Sequence, residues 1–421
     1  MVKTIRNLLI FFGIFLSIVF GLFKFYHYYQ YMQLAQQPIS KLECCINGKI
    51  APQDKLNRSM FEVTAVTTSG LKYFVTDYQI DKEQAPMHGN QFEVVISYKE
   101  HTCSITVPVT RIPVVEYSIG YPVQEDVKAT VYANGDLHFT GIGDTLDFRQ
   151  GNMPWAKEEY TYVIFDDGVA PTNIDYWFQG NTALTGCLNL PKSIESMCYT
   201  FSACTALETT PEYFQCTELR IMIGCFEKCT SIKTADILPV SLISTESAFY
   251  GCSSLLHGAD MSKTSQLSDI SKMFYGCTNM IDVPELPDSV KKMESTFYGC
   301  SNIRITASFP TYVENIESAY QSCTSLETAS AIPSSVVYAN NCFAGCADLF
   351  GTLEINTDSE YVYRILQDAA ISGKKLELTG NSGRLLSIQQ DCDNENILLG
   401  NIEEALRQQQ RMETEYAAIY R

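Results

Sequence analysis

The sequence predicts a mainly β protein with short helical turns, in which a solenoid of stacked repeats forms the largest part. Three observations support this prediction. A motif of an aromatic residue, a cysteine and an aliphatic residue recurs at a nearly constant spacing between residues 178 and 349. Residues 40–115 alternate apolar and polar side chains, as strands with one buried face do. The chain also begins with a long apolar run.

The apolar run covers residues 7–23 and contains no charged residue. About 20 apolar residues cross a bilayer as a helix. Lys3 and Arg6 precede the run, and the positive-inside rule therefore places the N-terminus in the cytoplasm. We expect residues 1–35 to be a cytoplasmic stub and transmembrane anchor, giving a single-pass cell-membrane location with the bulk of the chain extracellular. A cleaved signal peptide is the alternative, but the residues after the run are bulky and aromatic where a cleavage site needs small ones.

Residues 40–115 form the next predicted domain. The segments Phe61–Val66, Phe92–Tyr98 and Ser104–Val109 alternate with period two, and turn-rich pieces separate them. Six or seven short strands in about 75 residues suit a β-sandwich. With its Thr-Ser-Gly turn at residues 68–70 and the strand from Gly89 to Tyr98, the segment resembles bacterial immunoglobulin-like domains, which implies a spacer or an adhesive module.

A repeated motif, Phe-x-x-Cys-x-x-Leu, dominates the remaining sequence. Its aromatic positions are Phe178, Phe201, Phe226, Phe249, Phe274, Phe297, Tyr320 and Phe343. Successive positions lie 23, 25, 23, 25, 23, 23 and 23 residues apart, and such regular spacing indicates a stacked solenoid. The predicted repeats cover residues 176–350. One repeat cannot bury its apolar stripe alone, whereas stacked repeats share a continuous core.

The amino-acid sequences of the repeats resemble one particular repeat family. The segments AFYGCSSL at 248–255, MFYGCTNM at 273–280 and TFYGCSNI at 296–303 look like BspA-like leucine-rich repeats of bacterial surface proteins. Residues 126–175 resemble the N-terminal cap of such arrays and residues 351–396 the closing units. The chain departs from the pattern at Ala203, Lys228 and Ser322, where glycine is common, and at residues 256–258, where the strand consensus is broken. The resemblance implies display at a cell surface and binding to proteins, cells or glycans.

Seven of the 16 cysteines occupy the cysteine position of the motif. We call them the ladder cysteines: Cys204, Cys229, Cys252, Cys277, Cys300, Cys323 and Cys346. Equivalent positions point each Cβ atom the same way and not at its neighbour, so we expect free, buried thiols. The sequence does not decide whether one disulfide forms among Cys44, Cys45 and Cys103.

The net charge of −18, from 48 acidic and 30 basic residues, disfavours nucleic acid as a partner. No motif for a nucleophile, a phosphate loop or a metal site stands in its required context. We therefore predict no catalytic residue, no cofactor and no metal. Residues 397–421 contain strong helix formers and predict a helical tail that packs on the last repeat or mediates self-association.

These observations predict a membrane-anchored, adhesin-like surface protein whose solenoid recognises a protein or glycan ligand. The alternative is a structural or assembly component of the bacterial envelope that binds another membrane or surface protein. Counting from the aliphatic residue of each motif, the second and fourth positions should face solvent, and the third should face the core. This alternation predicts a ligand face made of Thr209, Thr234, Asp236, His257, Asp282, Ile305, Thr328 and Ser330.

Overall fold

The protein is described here by a computed structural model that covers Leu22, Tyr26 and residues 29–419. The chain divides between Ile112 and Pro113 into two compact units. Both units are built mainly of β structure, with few helices. Apart from Leu22, the apolar run at residues 7–23 lies outside the described residues.

The predicted single-pass membrane location is contradicted. Among the described residues, no helix combines the length and the apolar character that a membrane crossing requires. The C-terminal helix, Ile402–Ile419, carries Glu403, Glu404 and Arg407 within its first turns. Charged side chains inside a bilayer cost several kcal/mol each, roughly 2.5–3.5 on insertion scales, so this helix is not a membrane anchor.

The first unit contains two three-stranded antiparallel sheets. One has the order β1-β2-β3 and the other β4-β5-β6. The strands are β1 (Ile39–Ile46), β2 (Phe61–Thr67), β3 (Lys72–Val75), β4 (Gln79–Ile80), β5 (Gln91–Tyr98) and β6 (His101–Pro108). Val63 of β2 and Val94 of β5 are buried in one shared core, as their alternation predicts. A disulfide joins Cys44 of β1 to Cys103 of β6, whereas Cys45 is free and exposed.

The second unit opens with a five-stranded sheet of order β13-β12-β10-β9-β7, and a two-stranded sheet pairs β11 with β8. These strands are β7 (Pro113–Ser118), β8 (Gly120–Tyr121), β9 (Val127–Tyr132), β10 (Asp136–Gly141), β11 (Asp144–Thr145), β12 (Tyr162–Phe165) and β13 (Gly186–Leu188). The β9–β10 hairpin is antiparallel, but β10, β12 and β13 run parallel. The sheet thus changes from hairpin pairing to the parallel pairing that stacked coils need.

The repeats form a β-solenoid of stacked coils. Between residues 189 and 350 the chain makes turns and single parallel bridges where longer strands would otherwise stand. One unbroken ladder of bridges joins Asn173, Ser196, Ile221, Ser244, Asp269, Lys292, Asn315, Tyr338 and Tyr361 in sequence. Backbone hydrogen bonds flank each bridge. The carbonyl of Ser268, just before the ladder residue Asp269, accepts from the backbone N–H groups of Lys291 and Lys292 at 3.0 Å each, and the Lys292 carbonyl accepts from the Ile270 N–H at 2.9 Å.

The core of the solenoid is a column of aromatic rings. The rings of the motif's aromatic residues, from Phe178 to Phe343, stack with centroids 5.0–5.9 Å apart. All of them are buried, as are the seven ladder cysteines. The repeat motif therefore folds as its spacing predicts.

Each coil contains two residues with left-handed backbone. One lies two residues before the aromatic residue of the motif, such as Ser247 at φ 56°, and the other lies two residues after it, such as Gly251 at φ 70°. Ala203, Lys228 and Ser322 occupy the second of these positions, with φ of 62°, 59° and 63°. Glycine is common at this position because it adopts left-handed backbone without a steric penalty, and these three residues adopt the same backbone with a side chain.

The C-terminal end closes with a parallel sheet of order β14-β15-β16 and two helices. The elements are β14 (Gly351–Glu354), β15 (Leu376–Thr379), α1 (Leu385–Asp391), β16 (Ile397–Leu399) and α2 (Ile402–Ile419). Helix α2 buries Ala405 and Gln408, and the Gln408 amide donates to the Gly380 carbonyl at 3.2 Å. The tail begins with a strand and only then becomes the predicted helix.

Candidate ligand face

Six of the eight residues predicted for the ligand face lie in one exposed row. These are Thr209, Thr234, His257, Asp282, Ile305 and Thr328, each two residues after the buried aliphatic residue of its motif. Parallel bridges pair Thr209 with Thr234, His257 with Asp282, and Ile305 with Thr328. The coils therefore bring equivalent side chains side by side.

Asp236 and Ser330, the other two predicted residues, are half-buried and bonded within the protein. The Asp236 backbone N–H donates to the Thr210 hydroxyl at 3.1 Å, and the Tyr213 hydroxyl donates to the Asp236 carbonyl at 3.1 Å. Ser330 donates through its hydroxyl to the Ala307 carbonyl at 2.6 Å. Both residues hold neighbouring segments together and lie apart from the exposed row.

His257 and Asp282 form a pair near the middle of the row. The His257 Nδ1 atom lies 3.0 Å from both carboxylate oxygens of Asp282. Both side chains are exposed, so solvent screens the pair, and it contributes little to stability. The pair instead fixes the orientation of two polar groups on the face.

The alternation rule missed a second row, one residue after the buried aliphatic position. Leu256 and Ile281 lie there and are 40% and 53% exposed, and Ile305 of the following coil is 64% exposed. The Ile281 backbone N–H donates to the Leu256 carbonyl at 3.0 Å, so these two side chains lie on adjacent coils. These three residues form what we call the apolar centre. The break in the repeat consensus at Leu256 was the available signal.

Charged pairs lie on both sides of the apolar centre. Toward the N-terminus, Lys233 Nζ lies 2.8 Å from Glu208, and toward the C-terminus, Arg304 lies 3.5 Å from Glu327. The hydrogen bond from Lys233 lowers the pKa of the Glu208 carboxyl below its ordinary value. The face therefore has an aliphatic middle and a charged edge at each end.

Exposed and half-buried tyrosines mark other parts of the coil. Tyr250, Tyr275 and Tyr298 stack at 4.6 and 4.5 Å, one after each buried phenylalanine. On the unbroken ladder, Tyr338 and Tyr361 lie 5.0 Å apart and are both exposed. Neither group belongs to the ligand face, whose exposed row carries no phenylalanine, tyrosine or tryptophan.

The coils that carry this face match the family described as BspA type leucine rich repeat region, in six copies over residues 172–296 and 260–364. Among solved structures, a leucine-rich repeat protein from Eubacterium ventriosum is 13% identical; the match covers 63% of this chain and 85% of that one, with a TM-score of 0.30. A leucine-rich repeat protein from Bacteroides ovatus is 16% identical, with coverages of 63% and 98% and a TM-score of 0.20. A leucine rich cell surface protein from Faecalibacterium prausnitzii is 16% identical, with coverages of 69% and 96% and a TM-score of 0.30. A comparison with curated proteins finds no match.

Proposed function

We propose that this protein is an adhesin-like binding protein that recognises a protein ligand through the ligand face, which lies within the residues that match the BspA type leucine rich repeat region, 172–364. The apolar centre carries this proposal. Leu256, Ile281 and Ile305 expose aliphatic surface on three consecutive coils. A single exposed aliphatic residue is ordinary on a protein surface, but a contiguous group on one face favours an interaction site.

The surroundings of the apolar centre fit the anatomy of a protein interface. Such interfaces bury a central apolar patch inside a polar rim, and a few central residues supply most of the binding energy. The Lys233–Glu208 and Arg304–Glu327 pairs stand at the rim. They orient the ligand through charge, while the aliphatic middle supplies the affinity.

Protein is favoured over glycan at this face because of its side chains. Sugar rings pack on aromatic faces, and the exposed row with the apolar centre offers threonines, aliphatic residues and the His257–Asp282 pair. The coils match a leucine-rich-repeat family, and we infer from this match that the protein is a binding protein and not an enzyme.

We further propose that the first unit is an immunoglobulin-like spacer. Its two three-stranded antiparallel sheets enclose one core, and a disulfide joins its first and last strands. Such an arrangement supports a module that folds around its own core and presents another domain.

The experiment is a comparative pull-down with the full chain and two variants. Ile281→Arg places a charge in the apolar centre, and Tyr312→Arg makes a matched change at a residue that is 67% exposed and lies outside the face. Each bait is presented with host extracellular-matrix proteins and, separately, with the envelope proteins of the producing cell. We expect a partner that the wild type and Tyr312→Arg retain and Ile281→Arg loses.

The two arms separate two roles. A matrix partner supports adhesion, whereas an envelope partner bound through the same face indicates an assembly component. Equal loss in both variants, or no loss in Ile281→Arg, refutes the ligand face.

A further inference from the structure

A cleft of about 460 Å³ opens beside the first coil of the solenoid, between residues 150–160 and residues 176–182. Its lining includes Gln150, Lys157, Tyr176, Gln179 and Thr182. This volume falls among those of small-molecule sites, about 300–1,000 Å³. The cleft lies on a part of the coil that is distinct from the ligand face.

Tyr176 is the aromatic wall of the cleft. Its ring stacks on Tyr199 of the next coil, with centroids 5.4 Å apart and planes within 8°. Tyr199 in turn covers Gly224, where an added Cβ atom would come within 2.3 Å of the tyrosine ring. The two rings are thus held in place from the C-terminal side. Tyr176 also lines the cleft, opposite residues 150–160.

Amide groups lie beside this ring. The Gln150 Nε2 group donates to Gln179 Oε1 at 2.7 Å, and this bond fixes both side chains while using only one polar atom of each. The remaining amide oxygen of Gln150 and one or more N–H groups of Gln179 are available for a ligand. Lys157 is exposed and has no ion-pair partner among the residues that the structure describes.

The backbone leaves room between these groups. Gly151 and Gly180 both line the cleft, and an added Cβ atom at either one would meet no atom within 4 Å. A fixed aromatic face, amide donors and acceptors at its edge and an open floor together suit a ring with one apolar face and a hydroxylated edge. A sugar in the pyranose form has this chemistry.

We propose that this cleft is a carbohydrate site, in which one pyranose ring stacks on Tyr176 and its hydroxyl groups bond to Gln150, Gln179 and Lys157. The site is independent of the protein ligand proposed above. It gives the protein a second specificity, directed at glycan and positioned at the beginning of the repeats.

The test uses the full chain and four probes: methyl β-D-glucopyranoside, methyl β-D-galactopyranoside, methyl α-D-mannopyranoside and N-acetyl-D-glucosamine. Binding is measured by saturation-transfer NMR titration. We expect at least one sugar to bind with a Kd of about 0.1–10 mM, the range of a small ligand with few contacts. Tyr176→Ser should weaken that sugar at least about tenfold.

The variants are matched to the fold. Serine stands at the position of Tyr176 in the coils of Ser247, Ser295 and Ser318, with the same left-handed backbone, so Tyr176→Ser should fold. The control is Tyr275→Gln, which removes a tyrosine stacked on both sides and introduces the residue that Gln321 provides in its own coil. This control should bind the sugar as the wild type does.

Two further variants test whether the sugar occupies the cleft and whether the cleft is separate from the ligand face. Ala156→Trp fills the cleft from its lining and leaves residue 176 as tyrosine, and it should also abolish sugar binding. Ile281→Arg should leave sugar binding intact, which keeps this proposal separate from the ligand face. The proposal is overturned if none of the four sugars binds, or if Tyr176→Ser and Tyr275→Gln have the same effect.

Discussion

The Sγ atom of Cys277 lies 3.2 Å from the carbonyl oxygen of Phe249, which belongs to the preceding coil. The other six ladder cysteines make the same contact with the preceding coil at 3.0–3.2 Å. A thiol is a small apolar group and also a weak hydrogen-bond donor. Each ladder cysteine therefore fills the core and bonds two coils together.

Replacing Cys277 by serine should lower the free energy of unfolding by roughly 1–3 kcal/mol. The hydroxyl is smaller than the thiol, so it leaves a void and must reach the Phe249 carbonyl across a longer gap, or stay unpaired. Denaturant unfolding measures the change. Cys45→Ser, at an exposed free cysteine, is the control and should have no effect. Equal stability of the two variants would contradict the role of the ladder.

Alkylation should separate the cysteines by burial. Iodoacetamide should modify Cys45 in the folded protein, because that thiol is exposed. The ladder cysteines should react only after unfolding, since burial raises the pKa of Cys229 and Cys300 to about 12 and leaves no reactive thiolate near neutral pH. Mass mapping of unfolded, unreduced protein should then find all seven labelled. A disulfide between consecutive ladder positions would refute this account.

Stability should fall at alkaline pH. Burial raises the pKa of the Cys300 thiol from 9.0 to about 12, so the folded protein holds protons that the unfolded chain releases. This contribution is complete below pH 9 and is lost as the pH rises toward about 12. We expect the denaturant midpoint to be steady near neutral pH and to drop above about pH 9. The denaturant midpoint of Cys300→Ala should fall less steeply above about pH 9. If it falls as steeply as in the wild type, the loss of stability comes from groups other than Cys300.

Glycine at position 203 should stabilise the protein. Ala203 has a φ of 62°, whereas the equivalent Gly251, Gly276 and Gly299 adopt this region without a Cβ penalty. We expect Ala203→Gly to raise the free energy of unfolding by about 0.5–1 kcal/mol. Ala347→Gly is the control. Ala347 has no left-handed backbone, so this change should lower the free energy of unfolding by about 0.5–1 kcal/mol. A loss in both variants would show that backbone strain at position 203 is negligible.

Changes on the ligand face should affect binding and not folding. Thr234→Trp, Asp282→Lys and Thr328→Trp alter exposed side chains, so the thermal midpoint should stay within a few degrees. The affinity for the retained partner should fall by roughly tenfold or more for each change. Titration of the purified partner measures this effect. If these three changes leave binding intact and changes at Asp288 or Lys291 weaken it, the partner binds a different side of the coils.

Much of the repeat architecture followed from the sequence because its signal is periodic. The aromatic residues of the motif and the seven ladder cysteines are all buried, and the sequence spacing alone places them there. The exposed row from Thr209 to Thr328 also lies where the count from the aliphatic residue predicted it.

The remainder depends on how the chain turns between these positions. Alternation assumes an extended strand, but these coils make only single bridges after the aliphatic residue, so the first and second positions are both exposed and Leu256 and Ile281 were missed. The unbroken ladder from Asn173 to Tyr361 carries serine, isoleucine, lysine and tyrosine at equivalent positions, and no residue type marks it. The cleft beside Tyr176 was missed because residues far apart in the sequence form it.

The unbroken ladder also determines how the protein responds to tension. Within the array, the backbone hydrogen bonds of the described residues join each coil to itself and to the coils on either side. A force that pulls on the two ends of the array is carried by all the boundaries between coils in series, and the boundaries break one after another because each has its own set of bonds. When one boundary breaks, the 23 or 25 residues between successive motifs straighten to about 80 Å. The array would lengthen in discrete steps, and the coils still folded would keep their surfaces while it did so.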